Sequence, residues 1–281
     1  MSGRPESTGA RPLTALILAG ERGGENPVAR AAGVAEKCWA PAAGVPMLLR
    51  VVETLCRCRT VGRIAISLRS DPTAEDREAL ARRAAGIALS LLPCGVSPSA
   101  SVLAAVDALD RPYPLLITTA DHPLLSAQMI DHFWAAIAGS GADVAAAVTP
   151  ASVIERAYPE TRRTYLRFGD GRRSGANLFA LLGPEGLRAV EFWRRIERDR
   201  KRPWRLIGAF GLSPLVAYLL GRLTVDDAVR RASQIIGARA AIVDLPFADA
   251  AIDVDKPADL VLVDRILNAR ERGHVQAGAP F

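Results

Sequence analysis

Pro114-Leu115-Leu116-Ile117-Thr118-Thr119-Ala120-Asp121-His122-Pro123 is the stretch that decides the fold class. The seven residues before the acid are uncharged and centred on Leu115-Leu116-Ile117, too short for a helix and without the alternation of a half-exposed strand. That pattern belongs to a strand buried on both faces of a parallel sheet. An acid follows at once, at the carboxyl end of the strand, where open α/β sheets bind their ligands. Working outward, the same grammar repeats. Toward the N-terminus, strands are expected at Leu13–Ala19, Arg63–Leu68 and Ile87–Leu92, alternating with helices at Met47–Cys58, Thr73–Ala85 and Ser99–Leu109. Toward the C-terminus, a helix at Ala127–Ala138 precedes a strand at Ala142–Val148. This spacing implies βαβ units with right-handed crossovers. The fold class is α/β, a three-layer Rossmann-like arrangement around a mainly parallel, mixed central sheet.

The second half reads differently. A hairpin is expected from Arg162–Phe168 and Ala176–Leu182 across the turn Gly169-Asp170-Gly171. Helices follow at Glu185–Arg200, Leu212–Leu223 and Val225–Ile236, then a strand at Ala241–Leu245 and a closing helix at Pro257–Ala269. The expected organisation is a disordered lead over 1–12, one domain over 13–270 with a helical insertion at about 184–237, and a flexible tail over 271–281.

The composition narrows the class. The chain has 281 residues, 49% of them apolar, enough to bury a large core. Charges interrupt every apolar run before the roughly 18–20 residues of a membrane span. The first residues, MSGRPESTGARP, lack the apolar stretch of a secretion signal. Four cysteines do not make a disulfide scaffold. A cytoplasmic location is the expectation. Of 36 basic residues only three are lysines, Lys37, Lys201 and Lys256. The formal net charge of +6 is concentrated between Ala151 and Arg205, where 13 Arg and one Lys face seven acids. Arginine grips phosphate or carboxylate in a fixed fork, although codon bias alone can raise the overall arginine count.

Four features carry chemistry. The first is the strand–glycine loop Leu18-Ala19-Gly20-Glu21-Arg22-Gly23, whose exposed amides can form an anion-binding concavity; a plain strand-to-loop turn would use the same glycines. It has neither the dinucleotide fingerprint nor a Walker lysine. The second is Lys37, a compact flexible ammonium kept in an arginine-rich chain, suited to neutralising a reacting phosphate or to lying solvated on a loop. The third is Asp121, poised for a hard cation or for capping the turn before Pro123. The fourth is Ala251-Ile252-Asp253-Val254-Asp255-Lys256-Pro257, where Asp253 and Asp255 alternate onto one face of an extended segment and can share a cation. Asp255 can also cap the helix from Pro257, with Asp259 in its first turn.

In chain order, LILAGERGG, EKCWAPAAGVPML, SPSASVLAAVDAL, LLITTADHPLL, SGANLFAL and AIDVDKPADL resemble the MobA-like nucleoside-triphosphate transferases. The resemblance spans about residues 13–182 and 240–268. It implies an enzyme, a nucleotidyltransferase that moves an NMP from an NTP, CTP or GTP, onto a small anionic acceptor and releases pyrophosphate. It implies catalytic roles for Lys37, Asp121 and Arg22, and NTP binding by Leu18, Ala19, Gly20, Glu21, Gly23, Ser99 and Ser101. Mg²⁺ (or Mn²⁺) would be held by Asp121, Asp253 and Asp255. Acceptor binding falls to Arg163, Arg167, Arg173 and Asn177, which suits a phosphorylated acceptor. The family loop usually reads Gly-x-Gly-x-Arg, and here the second glycine and the arginine are shifted.

Two other classes remain in view. A nucleotide-sugar-dependent glycosyltransferase would share the architecture but usually carries Asp-x-Asp where this strand ends Asp121-His122-Pro123. A catalytically degenerate nucleotide-binding or membrane-associated interaction protein would explain the shifted loop and the basic segment Arg194–Arg205, which could touch an acidic membrane surface weakly. Nucleic acid is not an expected partner, since aromatics make up only 5%. Cys56 and Cys58 face different directions on a helix, and Trp39, Trp134, Trp193 and Trp204 read as packing residues.

Overall fold

The apolar runs become strands because both of their faces are covered. The computed structural model describes residues 13–21, 25–84, 86–110, 112–161, 163–199, 218 and 220–277. Its first half runs β1 (Leu13–Leu18), α1 (Pro27–Ala32), β2 (Pro41–Ala42), β3 (Val45–Pro46), α2 (Met47–Arg57), β4 (Val61–Leu68), α3 (Ala74–Arg83), β5 (Ala88–Pro93), α4 (Pro98–Ala108) and β6 (Leu115–Thr119). It continues with α5 (Ala127–Ile137), β7 (Val144–Pro150), α6 (Ala151–Ala157), β8 (Leu166–Phe168), β9 (Gly171–Leu181), α7 (Leu187–Asp199), α8 (Val225–Ile236), β10 (Ala240–Asp244) and α9 (Pro257–Ala277).

The main sheet has the order β10-β7-β9-β6-β1-β4-β5, with β8 paired to β9. All pairs are parallel except those made by β9, which lies antiparallel between β6 and β7. It is the expected mixed, mainly parallel α/β sheet. Alternation along the strands builds two cores. Leu13, Ala15, Ile17 and Leu116 meet Leu48, Val52, Leu55 and Phe133 on one face. Leu16, Leu115 and Ile117 meet Val102 and Ala105 of α4 on the other. Burying side chains of this size contributes about 1.5–3 kcal/mol each. A third cluster, Met47, Leu124, Ile252, Val254 and Val263, seats α9 against the long loop after β1.

Local signals set the helix starts. Thr73 and Asp76 form a reciprocal capping box on α3, and Ser97 caps α4 ahead of Pro98. Asn26 caps α1 in the same way, with Pro27 behind it.

Several elements depart from the sequence expectation. The stretch from Gly20 to Pro46 holds α1, a 3-10 turn at Lys37–Trp39 and the β2–β3 hairpin rather than open loop. The hairpin in the second half is lopsided: β8 has three residues, while β9 has 11 and enters the centre of the sheet because Ala176, Leu178 and Ala180 are buried there. Helix α6 was not expected; Ala151 and Ile154, three apart, are its buried contacts. Helix α9 runs to Ala277, past Ala269 and into the expected tail, since Ile266 and Leu267 are buried and Arg270 donates to Asp249. Trp193 on α7 is 56% exposed, so it is not a packing residue, whereas Trp39 and Trp134 pack against the core. The helix expected over Leu212–Leu223 falls largely outside the described residues, as do Arg22, Gly23, Arg162 and Trp204. Among the described residues no helix is long and apolar enough to cross a membrane. All four cysteines are free.

Candidate active site

The carboxyl ends of β1 and β6 are neighbours, and the chain leaves both toward the same edge. The Ala19 amide donates to Ser67 O at 2.9 Å and the Ala120 amide to Leu18 O at 3.0 Å, so the first residues of each loop remain tied to the sheet. Between them and the N-terminus of α4 lies an open cleft of about 440 Å³. Its walls are Leu18–Glu21, Asn26, Lys37 and Cys38 on one side, Gly95–Pro98 and Ser101 on another, and Thr119–Asp121 with Asp255 at the floor.

Two glycines let the backbones close in. A Cβ on Gly20 would stand 2.9 Å from both Cβ and Sγ of Cys94, and one on Gly95 would stand 2.7 Å from the Ala100 carbonyl carbon. Gly95 donates its amide to Ser101 Oγ at 2.9 Å, which fixes the loop over the start of α4.

At the floor, the Lys37 ammonium donates to Asp121 Oδ2 and, at 3.3 Å, to Asp255 Oδ1. Its side chain is 14% exposed. Burial pulls the Lys37 pKa down, but the charges and hydrogen bonds of Asp121 and Asp255 outweigh it and hold it above the ordinary lysine value. The ammonium is therefore charged. The Lys37 amide donates to the Glu21 carboxylate, which ties the 3-10 turn to the loop after β1.

Asp253 belongs to a second group. Arg163 Nη1 donates to Asp253 Oδ1 at 2.8 Å, Arg163 Nη2 lies 3.5 Å from Asp259 Oδ1, and Asn177 Nδ2 donates to Asp253 Oδ2 at 3.0 Å. Asn177 reaches it from a left-handed backbone conformation (φ 46°), at the irregularity in the pairing of β9 with β7. Burial, then the nearby charges of Asp255 and Asp121, raise the Asp253 pKa above the usual carboxylate range against the pull of Arg163 and Asn177. Asp253 and Asp255 thus neighbour each other but serve different partners. Asp259, in the first turn of α9, accepts at Oδ2 from the amides of Asp255 and Lys256 at 3.1 and 2.9 Å, while the Asp255 carboxylate faces Lys37.

Four carboxylates, Asp121, Asp253, Asp255 and Asp259, here face two cationic side chains, Lys37 and Arg163. Asp121 Oδ1 is buried with no hydrogen-bond partner. Such an oxygen, in a cluster short of two positive charges, fits a hard divalent cation. Among the described residues no three His, Cys, Asp or Glu side chains form a ready metal cage. His122, next in the chain, is fully buried; its Nε2 lies 3.3 Å from Asp249 O, and burial lowers its pKa to about 4, so the ring is neutral.

A family model described as the MobA-like NTP transferase domain matches residues 15–200. The chain belongs to that family. As a MobA-like transferase it is a nucleotidyltransferase by family, and the fold agrees. The structure is similar to that of a hypothetical transferase from Thermus thermophilus, with 26% identity, a TM-score of 0.73, and coverage of 89% of this chain and 100% of that one. It is also similar to 4-diphosphocytidyl-2C-methyl-D-erythritol synthase from Anaerococcus prevotii (13% identity, TM-score 0.54, coverage 92% and 99%). A third is 2-C-methyl-D-erythritol 4-phosphate cytidylyltransferase from Thermus thermophilus (17%, 0.52, 92% and 100%). The last two show the shared fold. No curated protein matches the sequence.

Within this MobA-like fold, Leu18, Ala19, Gly20, Glu21, Ser101, Lys37, Asp121 and Asp255 meet in the cleft, as the motifs suggest. Others do not. Ser99 is buried and donates to Glu197 of α7 instead of lining the cleft. Arg173 is bidentate to Asp244, at 2.8 and 3.1 Å, and reaches Asp170 at 3.2 Å, so it braces the edge of the sheet. The Arg167 amide donates to Tyr218 Oη, and Arg167 is not among the described residues that line the cleft. Arg163 and Asn177 turn to Asp253. Asn26, Gly95, Val96 and Ser97 line the cleft without having been singled out. Two carried a signal: Asn26-Pro27 and Ser97-Pro98 are both a capping side chain followed by proline at the first helical position.

Proposed function

We propose that the protein transfers a nucleoside monophosphate from CTP or GTP to a small phosphorylated acceptor. An acceptor oxygen forms a bond to the α-phosphorus, the bond from that phosphorus to the bridging β-phosphate oxygen breaks, and pyrophosphate leaves. The observation that carries this reading is the Lys37–Asp121 pair at the floor of a cleft walled by the loop after β1 and the start of α4.

The residues divide the work as phosphoryl transfer requires, mainly by positioning and neutralising charge. Ala19 and Gly20 bring backbone close to the triphosphate, and Arg22 adds charge to it. Lys37 neutralises the α-phosphate as negative charge shifts to the leaving group. Ser101 and the Gly95–Ser97 loop bound the end of the cleft where the base would lie. Asp121 and Asp255 would hold Mg²⁺ or Mn²⁺, whose chemistry is to bind phosphate oxygens and draw off their charge, while Asp253, both of whose oxygens accept from Arg163 and Asn177, stands beside them. Arg163, buried beside Asp253, orients that carboxylate and adds positive charge to the side of the site where an anionic acceptor would lie.

The test is a thermal-shift panel of the four NTPs, with and without Mg²⁺, followed by pyrophosphate release with phosphorylated acceptors. Ligand at about a hundred times Kd stabilises by roughly 2.7 kcal/mol, and at about 2–4 °C per kcal/mol the shift is easily read. One NTP giving a Mg²⁺-dependent shift, lost in Asp121→Asn, is the expected result. No shift with any NTP would overturn the proposal.

A further inference from the structure

Lys37 stands on the oxygens that a cation would use. Its ammonium bridges Asp121 and Asp255, carboxylates 84 and 218 residues away in the chain, and leaves on Asp121 only the partnerless Oδ1. Two positive charges cannot share that small group of oxygens without strong repulsion. The main chain of Lys37 is fixed, because its amide donates to Glu21 and Cys38 beside it is buried. Only the four-carbon side chain is free to move. The chain uses arginine for 33 of its 36 basic positions and keeps lysine here. A guanidinium would lock onto a carboxylate in a bidentate fork, whereas an ammonium on a flexible stem lets go easily.

With the cation at Asp121 taken from the proposed function, we propose that Lys37 is the internal counter-ion of the nucleotide-free site and is exchanged for the divalent cation. Arrival of the cation expels the ammonium from Asp121 and Asp255 and turns it toward the phosphates in the same cleft. Cation binding and phosphate binding are then coupled through one side chain, and by linkage each strengthens the other. Without nucleotide, the exchange is opposed by the loss of the Lys37 contacts, so the free protein binds the cation weakly.

Mn²⁺ titrated into the nucleotide-free protein, with free ion followed by electron paramagnetic resonance, tests this directly. Lys37→Met and Lys37→Gln both remove the competing charge and should bind Mn²⁺ about tenfold or more tighter than wild type, even though they lose turnover. Lys37→Arg keeps the charge and should bind no tighter than wild type, and Asp121→Asn should lose binding. Unchanged or weaker Mn²⁺ binding in both neutral variants overturns the exchange, as does equal tightening in Lys37→Arg. No NTP is present in this titration. A protein that binds no NTP would sink the proposed function and leave the titration readable; an unchanged Mn²⁺ affinity would sink the exchange and leave nucleotidyl transfer standing.

Discussion

Gly20→Ala tests whether the cleft depends on the close approach of two loops. Gly20 has no unusual backbone angle, so the added methyl costs nothing in backbone strain; its only obstacle is Cys94, whose Cβ and Sγ both lie 2.9 Å from the new atom. Ordinary contact between such atoms begins near 3.5 Å, so one loop must shift by about half an ångström or more. Overpacking of this kind costs about 1–3 kcal/mol, or roughly 2–12 °C in Tm for a chain of this size. The shift falls on the residues proposed to hold the triphosphate, where a misplacement of about 1 Å can cost on the order of a hundredfold in rate. Tm and nucleotide affinity should be measured for Gly20→Ala, Cys94→Gly and the double variant as a thermodynamic cycle. Cys94→Gly removes both clashing atoms, so the double variant should recover most of what Gly20→Ala loses, with a coupling of about 1–3 kcal/mol. A Gly20→Ala protein that melts and binds nucleotide like wild type, or a cycle with no coupling, would refute the reasoning.

Asp121→Asn should lower Tm as well as turnover. It removes the charge beside an ammonium whose other partner, Asp255, is 66% exposed, at a cost of about 2 kcal/mol, and turnover should fall about a hundredfold or more; calorimetry and pyrophosphate release read the two effects. Arg173→Ala should cost about 1–2 kcal/mol, discounted because Asp244 and Asp170 are each about two-fifths exposed, and should leave kcat within twofold. A large kcat loss at unchanged Tm would restore the acceptor role to Arg173. Arg163→Gln leaves Asp253 with Asn177 as its remaining side-chain donor, and should raise KM for an anionic acceptor; an unchanged KM would make Arg163 purely structural.

The strands that place the site were legible because their signals are local. Leu13–Ala19 and Pro114–Ala120 are uncharged, mainly apolar runs closed by Gly20 and by Asp121-His122-Pro123, and both end at the cleft. Lys37 showed through its rarity among arginines. Pairings were not legible, because they depend on sheet order. Period-two spacing put Asp253 and Asp255 on one side of the chain, but nothing local reveals that Arg163 and Asn177 take one and Lys37 the other. The arginines around β8 and β9 read as one basic cluster. Arg173 left that cluster only because parallel pairing of β10 with β7 brings Asp244 to the same edge. Ser99 failed for a related reason: two residues beyond its helix cap, it faces α7, while Ser97 and Ser101 face the cleft.

The position of β9 also dictates an order of assembly. Strands β5, β4, β1 and β6 form one panel and strands β7 and β10 another, and among the described strands β9 makes the hydrogen bonds that join the two. A nascent chain that has not yet delivered residues 171–181 carries β7 as an unpaired edge, open to pairing with other chains. The acids at 253 and 255 follow β10, so half of the charge cluster is aligned only after that central strand has docked. Such late, long-range closure raises contact order and slows folding. The cleft wall proposed to hold the nucleotide, built from the first panel, can be complete before the site around Asp253 exists.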